Sequence, residues 1–188
     1  ERAGLSRIQA CGSERQTLMQ RVTVNDVELA FRCIGSRGAP ALLMVQGLSM
    51  SSVAWPESML TALADRGYHV VVLDNRDAGQ STKLDHLGSP GAVRPVLRRI
   101  LGGPADPPYT LSDMADDAVG LLDCLGIESA HVVGVSMGGM IGQHVASMAP
   151  QRVKSLTAIM TTTGNPKLPR PSGNVMKAMV RRGPQPTS

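Results

Sequence analysis

The sequence predicts an α/β protein with a doubly wound, mostly parallel sheet that starts with an N-terminal β-hairpin. Short, uniformly apolar segments alternate along the chain with segments whose apolar residues recur every three or four positions, as strands and crossover helices of such a sheet do. The 188 residues, of which 42% are hydrophobic and 18% charged, suffice for one domain with a buried core.

Two strands joined by a tight turn are expected first. Residues 18–24 and Val27–Ile34 are predicted as these strands, because the Asn-Asp pair at 25–26 between them is typical of a hairpin turn. The continuous apolar run at 41–46 follows and is closed by Gly47, which predicts a strand that is buried on both faces.

A helix, a strand and a long loop are expected next. Residues 55–66 carry apolar side chains along one side and are followed by Gly67, a typical helix stop. His69–Leu73 is apolar after its first residue, which predicts another buried strand. Residues 83–108 are rich in Pro and Gly and are expected to form a loop, with room for a short helix at 93–101.

The last helices and strands have the clearest boundaries. Thr110 is expected to cap a helix, with Asp113 as its capping-box partner and Gly126 as its stop. Between them apolar residues recur at helical spacing: Leu111, Met114, Ala115, Ala118, Leu121, Leu122 and Leu125. A strand, a helix and a final strand are then predicted at Ala130–Val135, Met137–Met148 and 153–161.

Three parts of the chain are expected: a loose polar arm at 1–17, a core at 18–163, and a Pro-rich basic tail at 164–188. The tail carries five basic and no acidic residues, so the net charge of +4 becomes about −1 for the remaining residues. A basic excess confined to a tail, with only 2% aromatic residues, argues against nucleic-acid binding.

Other features of the composition predict a cytoplasmic protein that does not enter the membrane. No apolar run approaches the roughly 20 residues of a membrane-spanning helix, and no charged-then-apolar leader is present. The three cysteines, Cys11, Cys33 and Cys124, are odd in number and widely spaced. This spacing is typical of reduced thiols rather than of disulfides or a metal site.

The segment from Gly134 to Gly139, GVSMGG, follows a predicted strand and opens a predicted helix. It contains Gly-x-Ser-x-Gly, in which a sharp strand-to-helix turn presents a serine hydroxyl above the sheet. Gly134 and Gly138 leave the space that the turn needs, and Gly139 lets the helix pack on the sheet. Ser136 is therefore the candidate nucleophile, with the backbone N–H of Met137 aimed at the same space. A Gly-rich turn that cradles a phosphate is the alternative interpretation.

A second candidate element is Gln46-Gly47-Leu48, at the carboxyl end of an earlier predicted strand. Because the carboxyl ends of parallel strands share one edge of the sheet, the backbone N–H of Leu48 can face Ser136. Together with the N–H of Met137 it would complete an oxyanion hole, in which each donor lowers the barrier by roughly 3 kcal/mol. An ordinary turn is the alternative interpretation.

Three segments resemble the α/β-hydrolase superfamily, and most closely its soluble esterase and methylesterase members: VQGLSMSSVAW at 45–55, LDNRDAGQSTKLD at 73–85 and HVVGVSMGGMIGQ at 131–143. The resemblance extends over about 18–163. It implies a serine esterase that acts on a small-molecule ester through an acyl-serine intermediate, without a cofactor or a metal. The family usually has His where this chain has Gln46. Because the oxyanion donors are backbone groups, this change does not remove the hole.

The family pattern Asp-x-Arg-Gly-x-Gly-x-Ser falls on residues 74–81, with Asp77 where Gly is usual. Asp74 and Arg76 are interpreted as a structural pair that orders the loops around the site. Catalysis or metal binding by Asp74 is the alternative interpretation.

The resemblance also indicates which groups are missing. A serine nucleophile needs a base and an orienting acid, and the family places both beyond a cap that would begin where this chain stops. His69 and His131 are predicted at strand starts, on the opposite edge of the sheet. His86 lies in the long loop, and His144 lies about 12 Å along its helix from Ser136. None of the four is expected to be the base.

Two consequences are expected. The sheet would be truncated after its sixth strand, so the strand at 153–161 would form an open edge through which chains could self-associate. The 188 residues alone would have almost no turnover, since losing the base costs about 10⁶-fold in rate.

Two alternatives to ester hydrolysis stay open. One is other α/β-hydrolase chemistry, such as C–C bond hydrolysis or cofactor-free perhydrolysis, and the other is a non-catalytic binding module.

Overall fold

The computed structural model describes four parts of the chain: residues 18–84, 108–165, 167–168 and 172–174. The predictions for the arm at 1–17, for the short helix at 93–101 and for most of the basic tail lie outside these parts. The described residues form one sheet with helices on both of its faces.

The sheet has six strands, β1 (Gln20–Val24), β2 (Val27–Ile34), β3 (Ala41–Val45), β4 (His69–Leu73), β5 (Ala130–Val135) and β6 (Val153–Ile159). The helices are α1 (Glu57–Asp65), α2 (Leu111–Leu125) and α3 (Met137–Met148). The strand order is β1-β2-β4-β3-β5-β6. Strand β2 is antiparallel to both of its neighbours, and the strands β4, β3, β5 and β6 run parallel to one another. The prediction of a doubly wound, mostly parallel sheet with an N-terminal hairpin is confirmed.

The hairpin turn has the geometry that the Asn-Asp pair predicts. Asn25 and Asp26 have φ angles of 48° and 63°, and Val24 faces Val27 across the turn. Two consecutive left-handed residues twist the chain in the sense that the flanking strands need. Strand β1 starts at Gln20, two residues later than predicted.

Both faces of the central strands are buried, as the apolar runs predict. In β3, Leu43 and Val45 pack in the cluster that includes α2 and α3, while Leu42 and Met44 pack in the cluster that includes α1. Successive side chains of a strand point to opposite faces, so a strand covered on both faces must be apolar throughout. The same alternation holds for β4.

Helix α1 begins at Glu57 rather than at residue 55, and the cause is a proline. Pro56 occupies the N-cap position, and Trp55 before it has the extended backbone that a following proline favours. The residues before Trp55 form the short 3-10 helix Ser52–Ala54 instead.

Helix α2 has the predicted caps at both ends. The Thr110 hydroxyl accepts the N–H of Asp113, and the Asp113 carboxylate accepts the N–H of Thr110 at 2.6 Å. The Thr110 N–H and the Thr110 hydroxyl both donate to the Asp113 carboxylate, and these two bonds hold the pKa of Asp113 below its usual value. Gly126 ends the helix with a left-handed φ of 69°.

Strand β6 ends at Ile159, two residues earlier than predicted. Met160 has a left-handed φ of 49°, which turns the chain out of the strand direction. Within the described residues β6 pairs with β5 alone, and Ile159 and Met160 are 39% and 81% exposed.

In the same parts of the chain, none of the helices has the length and apolar character needed to cross a bilayer.

Candidate active site at the turn between β5 and α3

The backbone at Ser136 forms a sharp corner between β5 and α3. Its φ of 55° and ψ of −118° lie in a region that residues with a side chain rarely adopt, so the corner stores strain. The surrounding hydrogen bonds hold it in place. The Ser136 N–H donates to the Ile159 carbonyl at 2.8 Å, and the Ser136 carbonyl accepts the N–H groups of Gly139 and Met140 at 3.0 and 3.3 Å.

The flanking glycines are required by close backbone contacts. A Cβ on Gly134 would overlap the carbonyl of Gly138, across the corner. A Cβ on Gly138 would overlap the carbonyl of Val45 and lie 2.6 Å from that of Gln46. The start of α3 therefore sits directly against the carboxyl end of β3, and any larger residue at either position would open the corner.

The Gln46-Gly47-Leu48 turn lies beside the serine. A Cβ on Gly47 would lie 3.4 Å from the Ser136 Cβ, so the two segments lie side by side with little space between them. Gln46 is buried, and its carbonyl accepts the Asn75 side-chain amide at 3.2 Å. Leu48 is half-buried and packs on the core. The structure thus brings together the two elements that the sequence predicts as parts of one site.

Asp74 is buried at the end of β4 and binds backbone donors from two loops. Its carboxylate accepts the N–H groups of Ser52 at 2.5 Å and Gln80 at 2.9 Å. Its own carbonyl accepts the Ser81 hydroxyl at 2.6 Å. These bonds tie the loops after β3 and β4 together, which is the structural role that the sequence indicates. A Cβ on Gly79 would overlap the Asp74 carboxylate, so Gly is required at that position.

Arg76 does not pair with Asp74, which corrects the predicted pair. Its guanidinium makes two bonds of 2.7 Å to Asp117 of α2 and lies 5.4 Å from the centre of the Tyr109 ring. Asp117 is buried and also accepts the Asn25 side-chain amide at 3.2 Å. The pair therefore joins the hairpin turn, the loop after β4 and helix α2, while the buried Asp74 binds backbone amides.

Asp77, which stands where the family usually has Gly, has a left-handed φ of 64°. Its two carboxylate oxygens accept the Leu84 N–H at 2.6 Å and the Tyr109 hydroxyl at 2.9 Å. Burial, and then the bond to Asp77, raises the pKa of Tyr109, so its hydroxyl stays protonated and donates. The carboxylate thereby offsets the conformational cost of a side chain at this position.

The described histidines lie away from Ser136. His69 is buried at the start of β4, where burial lowers its pKa. His131, at the start of β5, is 2.8 Å from the Ser155 hydroxyl, and His144 is 3.3 Å from the Ser112 hydroxyl. That none of the three is the base stays a prediction. His86 lies outside the described residues.

Two residues that matter for the site were missed in the sequence. Asp117 falls within the apolar stripe of α2, between Met114 and Leu121, and a charge in such a stripe could have indicated a buried partner. Thr161, whose hydroxyl donates to the Ser136 carbonyl at 2.7 Å, follows β6 and is part of no recognisable pattern.

The strand order, the antiparallel second strand and the strained serine corner define a mixed-sheet α/β protein with a sharp strand-to-helix turn at a serine. Residues 40–183 match the family model of the alpha/beta hydrolase fold, and the chain belongs to this family. The resemblance seen in the sequence is thereby confirmed.

Similar proteins include esterases and other hydrolases. The chain is 32% identical over 139 residues to rhodomycin D methylesterase DauP of Streptomyces sp. (strain C5), covering 74% of this chain and 41% of the relative. A hydrolase from Pseudomonas aeruginosa PA01 superposes with a TM-score of 0.61 at 28% identity, covering 78% of this chain and 47% of that protein. An enol-lactonase from Burkholderia xenovorans LB400 superposes with a TM-score of 0.57 at 26% identity, covering 73% and 45%. The chain spans about two fifths of the length of its matched curated relatives.

Proposed function

We propose that the protein containing these residues is a serine hydrolase that cleaves carboxylic esters, with Ser136 as its nucleophile. The observation that carries the proposal is the strained backbone of Ser136, with φ of 55°, at the junction of a strand and a helix and beside Gly47. Such strain is retained where a function requires it, and presenting a hydroxyl to a substrate is the function that this corner fits.

In the proposed reaction the Ser136 Oγ attacks the ester carbonyl carbon while its proton passes to a base. The carbonyl oxygen becomes an oxyanion, held by the backbone N–H groups of Leu48 and Met137, each of which lowers the barrier by roughly 3 kcal/mol. The alcohol leaves with a proton, and the acyl group stays on Ser136. Water then attacks the acyl-serine, releases the acid and regenerates the hydroxyl. The reaction needs no cofactor or metal.

The base must come from residues beyond the described parts, and the family resemblance implies the same for its orienting acid. His69, His131 and His144 are held at other places in the fold, as described above. We expect the 188-residue chain alone to turn over esters about 10⁶-fold more slowly than a chain with the complete machinery. Brisk hydrolysis by the 188 residues would contradict this expectation and direct attention to His86.

Methyl esters of small molecules are the substrates to test first, because the similarity to a methylesterase extends over 74% of the chain. The test compares the natural gene product that includes these residues with its Ser136→Ala variant. Ser58→Ala is the matched control, since Ser58 is an exposed serine on α1.

Two results are expected. A fluorophosphonate labels the wild type and the Ser58→Ala variant, but not the Ser136→Ala variant. Esters are likewise hydrolysed by the wild type and by Ser58→Ala, but not by Ser136→Ala. Hydrolysis retained in Ser136→Ala would refute the nucleophile. Labelling without ester hydrolysis would favour C–C bond hydrolysis or perhydrolysis, and no labelling with a folded protein would favour a non-catalytic binding module.

A further inference from the structure

The carbonyl of Ser136 is held by a group outside its own helix. Thr161, two residues beyond β6, donates its hydroxyl to this oxygen at 2.7 Å. The same carbonyl accepts two N–H groups of the first turn of α3, from Gly139 and Met140. Two bonds from α3 are ordinary for the residue that caps a helix, whereas the third links the serine corner to the end of the neighbouring strand.

This third bond bears on the proposed oxyanion hole through the planarity of the peptide. The Ser136 carbonyl and the Met137 N–H belong to one trans peptide, so they point in opposite directions. Fixing the carbonyl against Thr161 and the first turn of α3 therefore aims the Met137 N–H out of the helix end. A rotation of this peptide would misdirect that donor without moving the serine Cα.

The packing at Gly139 is matched to Thr161. A Cβ on Gly139 would lie 2.7 Å from both the Cβ and the Cγ2 of Thr161, and 2.9 Å from its hydroxyl. Beside this contact, the Gln143 side-chain amide donates to the carbonyls of Gly139 and Thr162 at 3.2 and 3.3 Å. The segment after β6 thus packs on the first turn of α3 through the Thr161 side chain of the segment and the Gln143 side chain of the helix.

We infer that Thr161 is a positioning residue, whose hydroxyl fixes the Ser136–Met137 peptide so that the Met137 N–H faces the developing oxyanion. The inference rests on the proposed function. It assigns Thr161 a role in the transition state rather than in substrate binding, because an oxyanion donor acts mainly after attack on the carbonyl.

The experiment measures ester hydrolysis by the natural gene product carrying Thr161→Val or Thr161→Ser. Valine keeps the shape and removes the hydroxyl, and serine keeps the hydroxyl. Because two other bonds to the carbonyl remain, we expect Thr161→Val to lower kcat about fivefold with KM nearly unchanged. Thr161→Ser should restore kcat to within about twofold of the wild type. Thr23→Val, a matched change at an exposed position of β1, should have no effect.

Unchanged kcat in Thr161→Val would overturn the inference, and so would an equal loss in Thr161→Ser or a loss confined to KM. Ser136→Ala separates this outcome from a failure of the proposed function, since only the latter leaves Ser136→Ala active. If no ester is hydrolysed, crystal structures of the two Thr161 variants decide the inference. A rotated Ser136–Met137 peptide in Thr161→Val alone supports it, and an unrotated one refutes it.

Discussion

The ion pair between Arg76 and Asp117 gives the strongest prediction about stability. Replacing Asp117 with Asn keeps the size of the side chain but removes its negative charge, which pairs with the Arg76 guanidinium through two hydrogen bonds of 2.7 Å. The two side chains are only 10% and 3% exposed, so water cannot replace the lost partner. Leaving a buried charge unpaired costs about 3–5 kcal/mol.

For a chain of this length each kcal/mol shifts the melting temperature by about 2–4 °C, so Asp117→Asn should lower Tm by about 6–20 °C. The matched control is Asp116→Asn, an exposed neighbour on the same helix, which should change Tm by less than about 2 °C. Replacing both partners with Leu should recover much of the loss, because no unpaired charge remains. Equal Tm values for Asp117→Asn and Asp116→Asn in a thermal melt would refute the reasoning.

Three further predictions follow from the same structure. Gly138→Ala should lower Tm by several degrees and abolish phosphonate labelling, because its Cβ would overlap the Val45 carbonyl, whereas Gly38→Ala meets open space and should be neutral. Burial lowers the pKa of His69 in the folded protein below 6.5, aided by the nearby charge of Arg37 and opposed by the hydrogen bond that the His69 ring donates to the Gly35 backbone. The unfolded chain therefore binds this proton more readily than the folded protein, so the free energy of unfolding should fall as pH drops below about 6.5. His69→Gln should reduce the difference between the free energies of unfolding that urea titrations give at pH 7.5 and at pH 5.5. No strand of the described residues covers the outer edge of β6, so the 188-residue chain should self-associate in sedimentation and Ile159→Lys should reduce this; a monodisperse wild type would contradict it.

Most of the fold could be predicted because its signals are local. The capping box of Thr110 and Asp113, and the left-handed Gly126, involve residues close together in sequence. The uniformly apolar strands indicate burial on both faces without any knowledge of their partners. The errors occurred at ends, where Pro56 delays α1 and the left-handed Met160 stops β6.

The candidate site could be predicted only where spacing carries the information. The glycines around Ser136 are required by contacts within the corner and with β3, so the motif alone indicates the turn. The partner of Arg76 could not be predicted in this way, because Asp117 is 41 residues away and reaches it only through the packing of α2. Asp74, two residues from Arg76, is instead saturated by backbone donors from two loops.

Thr161 is a second residue whose contact with the site could not be predicted from sequence spacing. Its bond to Ser136 joins two residues that are 25 positions apart, and the bond forms because β6 lies beside β5 in the sheet. A single threonine after a strand has no distinguishing pattern. Its role can be recognised only once the sheet order is known.

The central claim is that Ser136 carries the acyl group during turnover. The most direct measurement mixes the natural gene product with an ester it hydrolyses, quenches the reaction with acid, and maps the modified peptide by mass spectrometry. We expect the acyl group on Ser136, and no adduct in Ser136→Ala. An acyl group on another residue, or continued hydrolysis by Ser136→Ala, would contradict it.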